Sequence, residues 1–214
     1  MTDEADLAGL RREYADSGLD ESDLADEPVA MFERWLKDAT EAGLHEPNAM
    51  VVASASAHGV PSARLVLLKR HDERGFVFFT NYTSRKGTEA AGNPSASLAF
   101  PWHPIGRQVI VGGTTERIDR ARTEAYFATR PRLAQLGAWA SPQSQVLPDR
   151  AALDERLAEV EARFPGEVPA PPHWGGYLVA PERVEFWQGR PDRLHDRLRF
   201  RRAGDAWVVE RLAP

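Results

Sequence analysis

Apolar residues first recur at helical spacing. Val29, Phe32, Trp35, Leu36 and Ala39 fall on one face and Gly43 follows, so the pattern predicts a helix over 28–43. The period then shortens to that of strands. Segments 49–57 and 63–69 flank His58-Gly59-Val60-Pro61, which predicts a hairpin. Further strands are expected at 75–80, 97–100 and 107–112, with a short helix over 84–91 closed by Gly92-Asn93-Pro94. A helix over 121–129 precedes Arg130-Pro131. Leu153, Leu157, Val160 and Phe164 recur at helical spacing and predict an amphipathic helix over 150–164, with Asp149 as its N-cap. Four more strands, 177–179, 184–187, 198–201 and 207–211, complete the set, the last two joined around Ala203-Gly204-Asp205.

Short strands with hairpin turns and a few helices predict a mainly β fold with peripheral helices, a closed or split β-barrel. The connections are too short for a doubly wound parallel sheet, and a G-x-G-x-x-G fingerprint is absent. The proline-rich stretch 165–172 reads as a loop, because strands resume at once. Residues 29–214 are therefore expected to form a single domain.

Charge adds a second level. Residues 1–28 carry ten acidic side chains against two arginines and read as a mobile acidic arm, within which Arg11-Arg12-Glu13-Tyr14 stands out. Residues 183–202 carry seven arginines, a local anion site in a chain of net charge -5. That overall balance gives no reason to expect a nucleic-acid partner. The chain has no cysteine, which excludes disulfides, iron–sulfur clusters and thiol catalysis. Its six histidines show no metal-ligand spacing, and no run approaches the ~18 apolar residues of a membrane span. The acidic N-terminus lacks an apolar signal segment, so the expected location is the cytoplasm.

The chemistry-bearing residues gather in a few places. Near the C-terminus, Glu185-Phe186-Trp187-Gln188-Gly189 is followed by Arg193-Leu194-His195-Asp196-Arg197. Arginines for phosphate, a tryptophan for a ring edge and a histidine for a proton suit a flat anionic ligand that accepts electrons. Strand alternation puts Arg64, Val66 and Leu68 on one face, and Leu65, Leu67 and Lys69 on the other. After Thr80-Asn81-Tyr82-Thr83-Ser84, Arg85 and Lys86 open a helix, where cations oppose the dipole unless an anion binds there. Gln108 and the pair Gln143-Ser144 can donate and accept at a ring edge. Tyr126 and Arg130 share a helical face and suit a phosphate. No Ser-His-Asp or paired-carboxylate pattern emerges, so a cofactor is expected to carry the hard chemistry.

Together these segments resemble the pyridoxamine 5'-phosphate oxidases, flavin enzymes that make pyridoxal 5'-phosphate. The resemblance rests on RLVLLK (64–69), GFVFFTNYTSRK (75–86), NPSASLAFPW (93–102), RQV (107–109), YF (126–127), RPR (130–132), QLGAWASPQS (135–144), WGGY (174–177), VEFWQG (184–189), RLHDR (193–197) and RLAP (211–214), with RREY (11–14) in the arm. It implies an FMN-binding split β-barrel acting as a homodimer with shared active sites. FMN contacts would be Arg64, Val66, Leu67, Lys69, Phe79, Thr80, Arg85, Lys86, Gln108, Gln143, Ser144, Trp187 and Arg197. Substrate contacts would be Lys69, Tyr126, Arg130, Arg193 and His195, with Arg11 and Tyr14 folding over from the arm. Arg193 and His195 would orient the substrate at the reacting carbon. The implied reaction oxidises pyridoxamine 5'-phosphate or pyridoxine 5'-phosphate, with dioxygen as acceptor and hydrogen peroxide released.

Three positions depart from the family pattern. Ala134 stands where a serine is usual, Gly106 where a glutamate is usual, and Phe79 where a tyrosine is common. Fold does not fix substrate. The alternatives are a split-barrel flavin oxidase of the phenazine-pathway type and a flavin or pyridoxal phosphate carrier without turnover. Lys69 and the RPR–Q segment argue against the first, and the RLHDR tail against the second.

Overall fold

A computed structural model describes residues 18–214. Among them α1 (Pro28–Glu41) precedes β1 (Ala49–Ala55) and β2 (Pro61–Leu67). Next come β3 (Arg70–Asp72), β4 (Gly75–Asn81), α2 (Arg85–Gly92) and β5 (Ser95–Phe100). β6 (Arg107–Arg117) is followed by α3 (Arg120–Ala128), α4 (Arg132–Ala140) and α5 (Ala151–Arg163). β7 (Trp174–Gln188), β8 (Asp196–Ala203) and β9 (Ala206–Arg211) close the chain. The strand order is β2-β1-β5-β6-β7-β4-β3, with β8 pairing with β7 and β9 with β8. The protein is mainly β with peripheral helices, as its sequence pattern implies.

The chain divides into two compact units. One holds Asn48–Ala99 and Val111–Glu182. Its β1–β2 hairpin sets Val52 opposite Arg64 and Ser54 opposite Ser62, so these four side chains share one face of the ribbon. β4 runs antiparallel to β7, with Phe79 opposite Gly176 and Thr80 opposite Gly175. Phe127, Leu136, Val168 and Trp174 form a buried cluster against which Leu157, Val160 and Phe164 of the α5 region pack. Those are the apolar positions that gave the α5 segment its helical period. Asp149 caps this helix as expected, accepting a hydrogen bond from the Ala152 N–H at 2.8 Å.

The other unit holds the described residues up to Pro47, with Phe100–Ile110 and Arg183–Pro214. Here α1 starts with Pro28 at its first helical position, where a missing N–H costs nothing. Its buried face carries Phe32, with ring centroids 4.8 Å from Phe100 and 5.7 Å from Trp102. Trp35 meets the Phe186 ring edge-on at 5.2 Å. In the same unit β8 pairs with the Arg183–Gln188 end of β7 on one side and with β9 on the other.

The structure departs from the sequence pattern in several places. The strand expected at 63–69 is β2, Pro61–Leu67, so Lys69 lies beyond it. Proline is tolerated as the first residue of a strand, which lets β2 begin earlier. The segments 177–179 and 184–187 are not separate strands but one, β7. Pro181 reads as a break. The strand continues because Gly113 has no side chain where the Ala180 carbonyl approaches, a space a Cβ would block. β3 is three charged or polar residues long and carries no readable period. α4 was not expected: Gly137 and the flanking prolines mask a helix whose buried positions are Leu136 and Ala140.

Candidate active site

The unit containing β1, β2, β4 and α2 concentrates three cations around one buried carboxylate. Arg64 projects from the β1–β2 ribbon and donates to the Val52 carbonyl at 3.2 Å and to Ser54 Oγ at 2.6 Å, with a further bond to Ser62 Oγ. Arg85 and Lys86 open α2, whose N-cap Ser84 accepts the Gly87 N–H at 3.3 Å. Glu89, one turn on, accepts Arg85 Nε at 2.9 Å. Burial alone would raise the Glu89 carboxyl. Hydrogen bonds from Ser54, Ser62 and Arg85, with the Arg64 charge, outweigh it and hold the group at about 2.

Lys86 is 9% exposed. Its ammonium donates to Thr80 Oγ1 and Gln143 Oε1, both at 3.1 Å. Both acceptors are neutral. Burial first, and the nearby Arg64 charge second, lower its pKa. A buried ammonium held by neutral acceptors and facing the Arg64 charge, with Glu89 opposing only in part, is costly unless a further anion joins it. This donor set, at the N-terminus of α2, fits a phosphomonoester.

A second cluster lies in the same unit. Phe79 of β4 stacks on Tyr126 of α3 at 4.0 Å and on Trp174 of β7 at 5.2 Å. The Arg130 guanidinium sits 4.6 Å above the Trp174 ring. Its Nη1 is buried and has no hydrogen-bond partner among the described residues. Burial lowers the Arg130 pKa and raises that of Tyr126, a rise that the Arg130 charge offsets in part. A desolvated guanidinium with an orphaned N–H beside a phenol is a second place where an anionic oxygen would satisfy what the protein leaves open.

The C-terminal cluster belongs to the other unit. His195 packs its ring 4.6 Å from that of Trp187. The Arg190 N–H lies 3.1 Å from His195 Nδ1, so the neutral imidazole accepts there and carries its proton on Nε2. Arg197 donates to Glu185 Oε1 at 2.8 Å and to the Ala213 carbonyl at 2.8 Å. The Glu185 hydrogen bond is the main cause of its raised pKa. Asp192 and Arg193 have φ of 55° and 61°. Two successive non-glycine residues in the left-handed region store strain, of the kind found where a loop must present a side chain. The Arg193 side chain is exposed.

The sequence-derived candidates thus fall into groups. Arg64 and Arg85 share Glu89, while Thr80, Lys86 and Gln143 are hydrogen-bonded to one another, with the Arg64 and Glu89 charges acting on Lys86. Phe79, Tyr126 and Arg130 gather around Trp174. Val66 and Leu67 are half-buried on β2; Lys69 and Ser144 are exposed in loops of the same unit. Gln108 is half-buried on β6, in the unit that holds Trp187, Arg193, His195 and Arg197. Arg11 and Tyr14 lie outside the described residues. Sequence reasoning missed Glu89, Ser54, Ser62 and Trp174 in its site. The signal for Glu89 was its i, i+4 spacing from Arg85. Among the described residues no group of three or more acidic or histidine side chains could hold a metal, and no helix is long and apolar enough to cross a membrane.

A family model described as pyridoxamine 5'-phosphate oxidase matches residues 36–164. A second, described as the pyridoxine 5'-phosphate oxidase C-terminal dimerisation region, matches residues 174–214. A pyridoxine/pyridoxamine 5'-phosphate oxidase from Nocardioides sp. is 58% identical over 209 residues, spanning 98% of each chain. One from Salinispora arenicola is 59% identical over 211 residues, spanning 97% of this chain and 96% of the relative. Among solved structures, PhzG from Burkholderia lata, in complex with tetrahydrophenazine-1-carboxylic acid, superposes with a TM-score of 0.87 at 34% identity, covering 93% of this chain and 99% of that one. A pyridoxamine 5'-phosphate oxidase-related, FMN binding protein from Nostoc punctiforme has the same fold, with a TM-score of 0.71 at 17% identity. Matched by the family models over most of its length and by full-length relatives well above the level at which chance operates, the chain belongs to the pyridoxamine 5'-phosphate oxidase family, as an oxidoreductase on the split-barrel fold.

Proposed function

We propose that the protein oxidises pyridoxamine 5'-phosphate and pyridoxine 5'-phosphate to pyridoxal 5'-phosphate with FMN as cofactor, dioxygen as acceptor and hydrogen peroxide as co-product. The observation that carries this reading is the pairing of two separate anion-seeking clusters in one unit: Arg64, Arg85 and Lys86 around Glu89, and Arg130 with its orphaned N–H beside Tyr126. A reaction between a phosphorylated cofactor and a phosphorylated substrate needs two such places. Arg64, Arg85 and Lys86 would hold the FMN phosphate, with Thr80, Gln143 and Ser144 beside it. Tyr126, Arg130 and Lys69 would hold the substrate phosphate. Val66, Leu67, Phe79, Gln108, Trp187 and Arg197 complete the proposed flavin contacts.

FMN, when bound, supplies a two-electron acceptor that dioxygen can reoxidise. The protein's part is binding and orientation. Arg193 is presented by a strained backbone, and His195 is fixed in one tautomer by the Arg190 N–H. Both are proposed to orient the substrate at its reacting carbon, with Arg11 and Tyr14 covering it. The amine route consumes one water and releases ammonia; the alcohol route does neither. The match to a C-terminal dimerisation region supports a homodimer, and shared active sites are part of the proposal. A cytoplasmic location is the corresponding expectation.

Oxygen uptake by the FMN-loaded protein tests the assignment. Each pyridoxal 5'-phosphate formed should consume one dioxygen and yield one peroxide. The similarity to PhzG, solved with tetrahydrophenazine-1-carboxylic acid, gives a second reading, oxidation of a reduced phenazine. Turnover of such a compound, with none of either B6 phosphate, would establish it instead.

A further inference from the structure

Glu89 is a buried carboxylate to which neither the proposed cofactor contacts nor the proposed substrate contacts assign a task. Its side chain is 6% exposed. The two oxygens divide their partners. Oε1 takes Arg85 Nε at 2.9 Å. Oε2 accepts Ser54 Oγ at 2.6 Å and Ser62 Oγ at 2.5 Å, and lies 3.5 Å from Arg64 Nη2. Each serine hydroxyl in turn accepts from Arg64. One carboxylate therefore fixes two guanidiniums, one directly and one mainly through paired hydroxyls from β1 and β2.

Stability alone is a weak reason for this arrangement, because buried ion pairs seldom outperform apolar packing. Charge is a better one. Arg64, Arg85 and Lys86 bring three positive charges and Glu89 removes one, which leaves two. A phosphomonoester carries about -1.5 to -2 at neutral pH. The bond from Arg85 uses Nε alone, and its side chain remains 57% exposed, so the outer edge of the fork stays open.

We infer that Glu89 is a positioning residue for the cofactor phosphate, holding Arg64 and Arg85 in their binding geometry before the phosphate arrives. This rests on reading the Lys86 pocket as the FMN phosphate site. Guanidiniums already ordered by Glu89 lose less freedom when the phosphate binds. The carboxylate also keeps two like charges close together in the absence of ligand.

The test is titration of apo-protein with FMN and with riboflavin, which lacks the phosphate, for wild type, Glu89→Gln and Glu89→Asp. Glu89→Gln should weaken FMN by about tenfold or more, the scale of lost charged hydrogen bonds, and leave riboflavin nearly unchanged. Glu89→Asp retains the charge but is a methylene short, so it should restore FMN affinity only in part. FMN binding by Glu89→Gln at or above wild-type affinity would overturn the inference. So would equal losses for FMN and riboflavin, which mark collapse of the local fold. If Glu89→Gln does not fold, Ser62→Ala carries the same FMN-to-riboflavin comparison, since it removes one bridge between Glu89 and Arg64. A wild-type protein that prefers FMN no more than riboflavin would instead sink the underlying reading of the pocket.

Discussion

Gly106 ends a short 3₁₀ turn with φ of 65° and ψ of 28°, and its carbonyl accepts the Gly189 N–H at 2.7 Å. A left-handed backbone held by that bond favours glycine at this position. Gly106→Ala should therefore cost about 1 kcal/mol in chemical denaturation; an unchanged midpoint would contradict the strain. Ala134, in the first turn of α4, has no hydroxyl to offer a phosphate. Ala134→Ser should lower KM for pyridoxamine 5'-phosphate by about two- to tenfold, the worth of one neutral hydrogen bond. No change would mean that this position does not reach the substrate. Glu89 makes a pH-dependent prediction. Its folded pKa of about 2 lies below the ordinary 4.5, so its stabilisation is complete above 4.5 and is lost as pH falls toward 2. Melting temperatures of wild type and Glu89→Gln should converge through that window. Curves that remain equally far apart would show that the carboxylate is not the linked group. The cations of this pocket were legible in the sequence, because Arg-Lys at a helix start is unfavourable without an anion. Glu89 was not, because a helical glutamate four residues from an arginine is usually a solvated pair. Only the register of Ser54 against Ser62 shows what encloses it.

At the scale of elements, α1 and α5 were readable because their buried faces are their apolar faces. Phe32 carries much of the α1 contact, fully buried between Phe100 and Trp102. Phe32→Ala should cost about 3–5 kcal/mol, measured by equilibrium unfolding. A loss below about 1 kcal/mol would mean that the ring is not a core contact. β7 was misread as two strands because the reason for its continuity lies on another strand, at Gly113, and no local pattern around Pro181 contains it. α4 was missed for a related reason: two buried positions and a central glycine give too weak a period. The end of β2 at Leu67 settles a smaller question. Arg64 lies on β2 and Lys69 beyond its end, so the two do not share one regular strand.

At the scale of the molecule, the family was legible because its motifs lie in many short segments spread from β2 to the last residues. Their order, rather than any one of them, carries the resemblance, and the two family models cover the same ground. The spatial grouping was not legible. Sequence alone gave one set of FMN contacts. The structure divides those residues between two compact units and reveals a distinct aromatic cluster around Trp174. In the proposed function these residues serve electron transfer from a B6 phosphate to bound FMN. Anaerobic mixing of FMN-loaded protein with pyridoxamine 5'-phosphate tests it most directly. The yellow flavin absorbance should bleach, the chromophore of pyridoxal 5'-phosphate should appear, and air should restore the flavin. A flavin that stays oxidised under saturating pyridoxamine and pyridoxine 5'-phosphates would contradict the account.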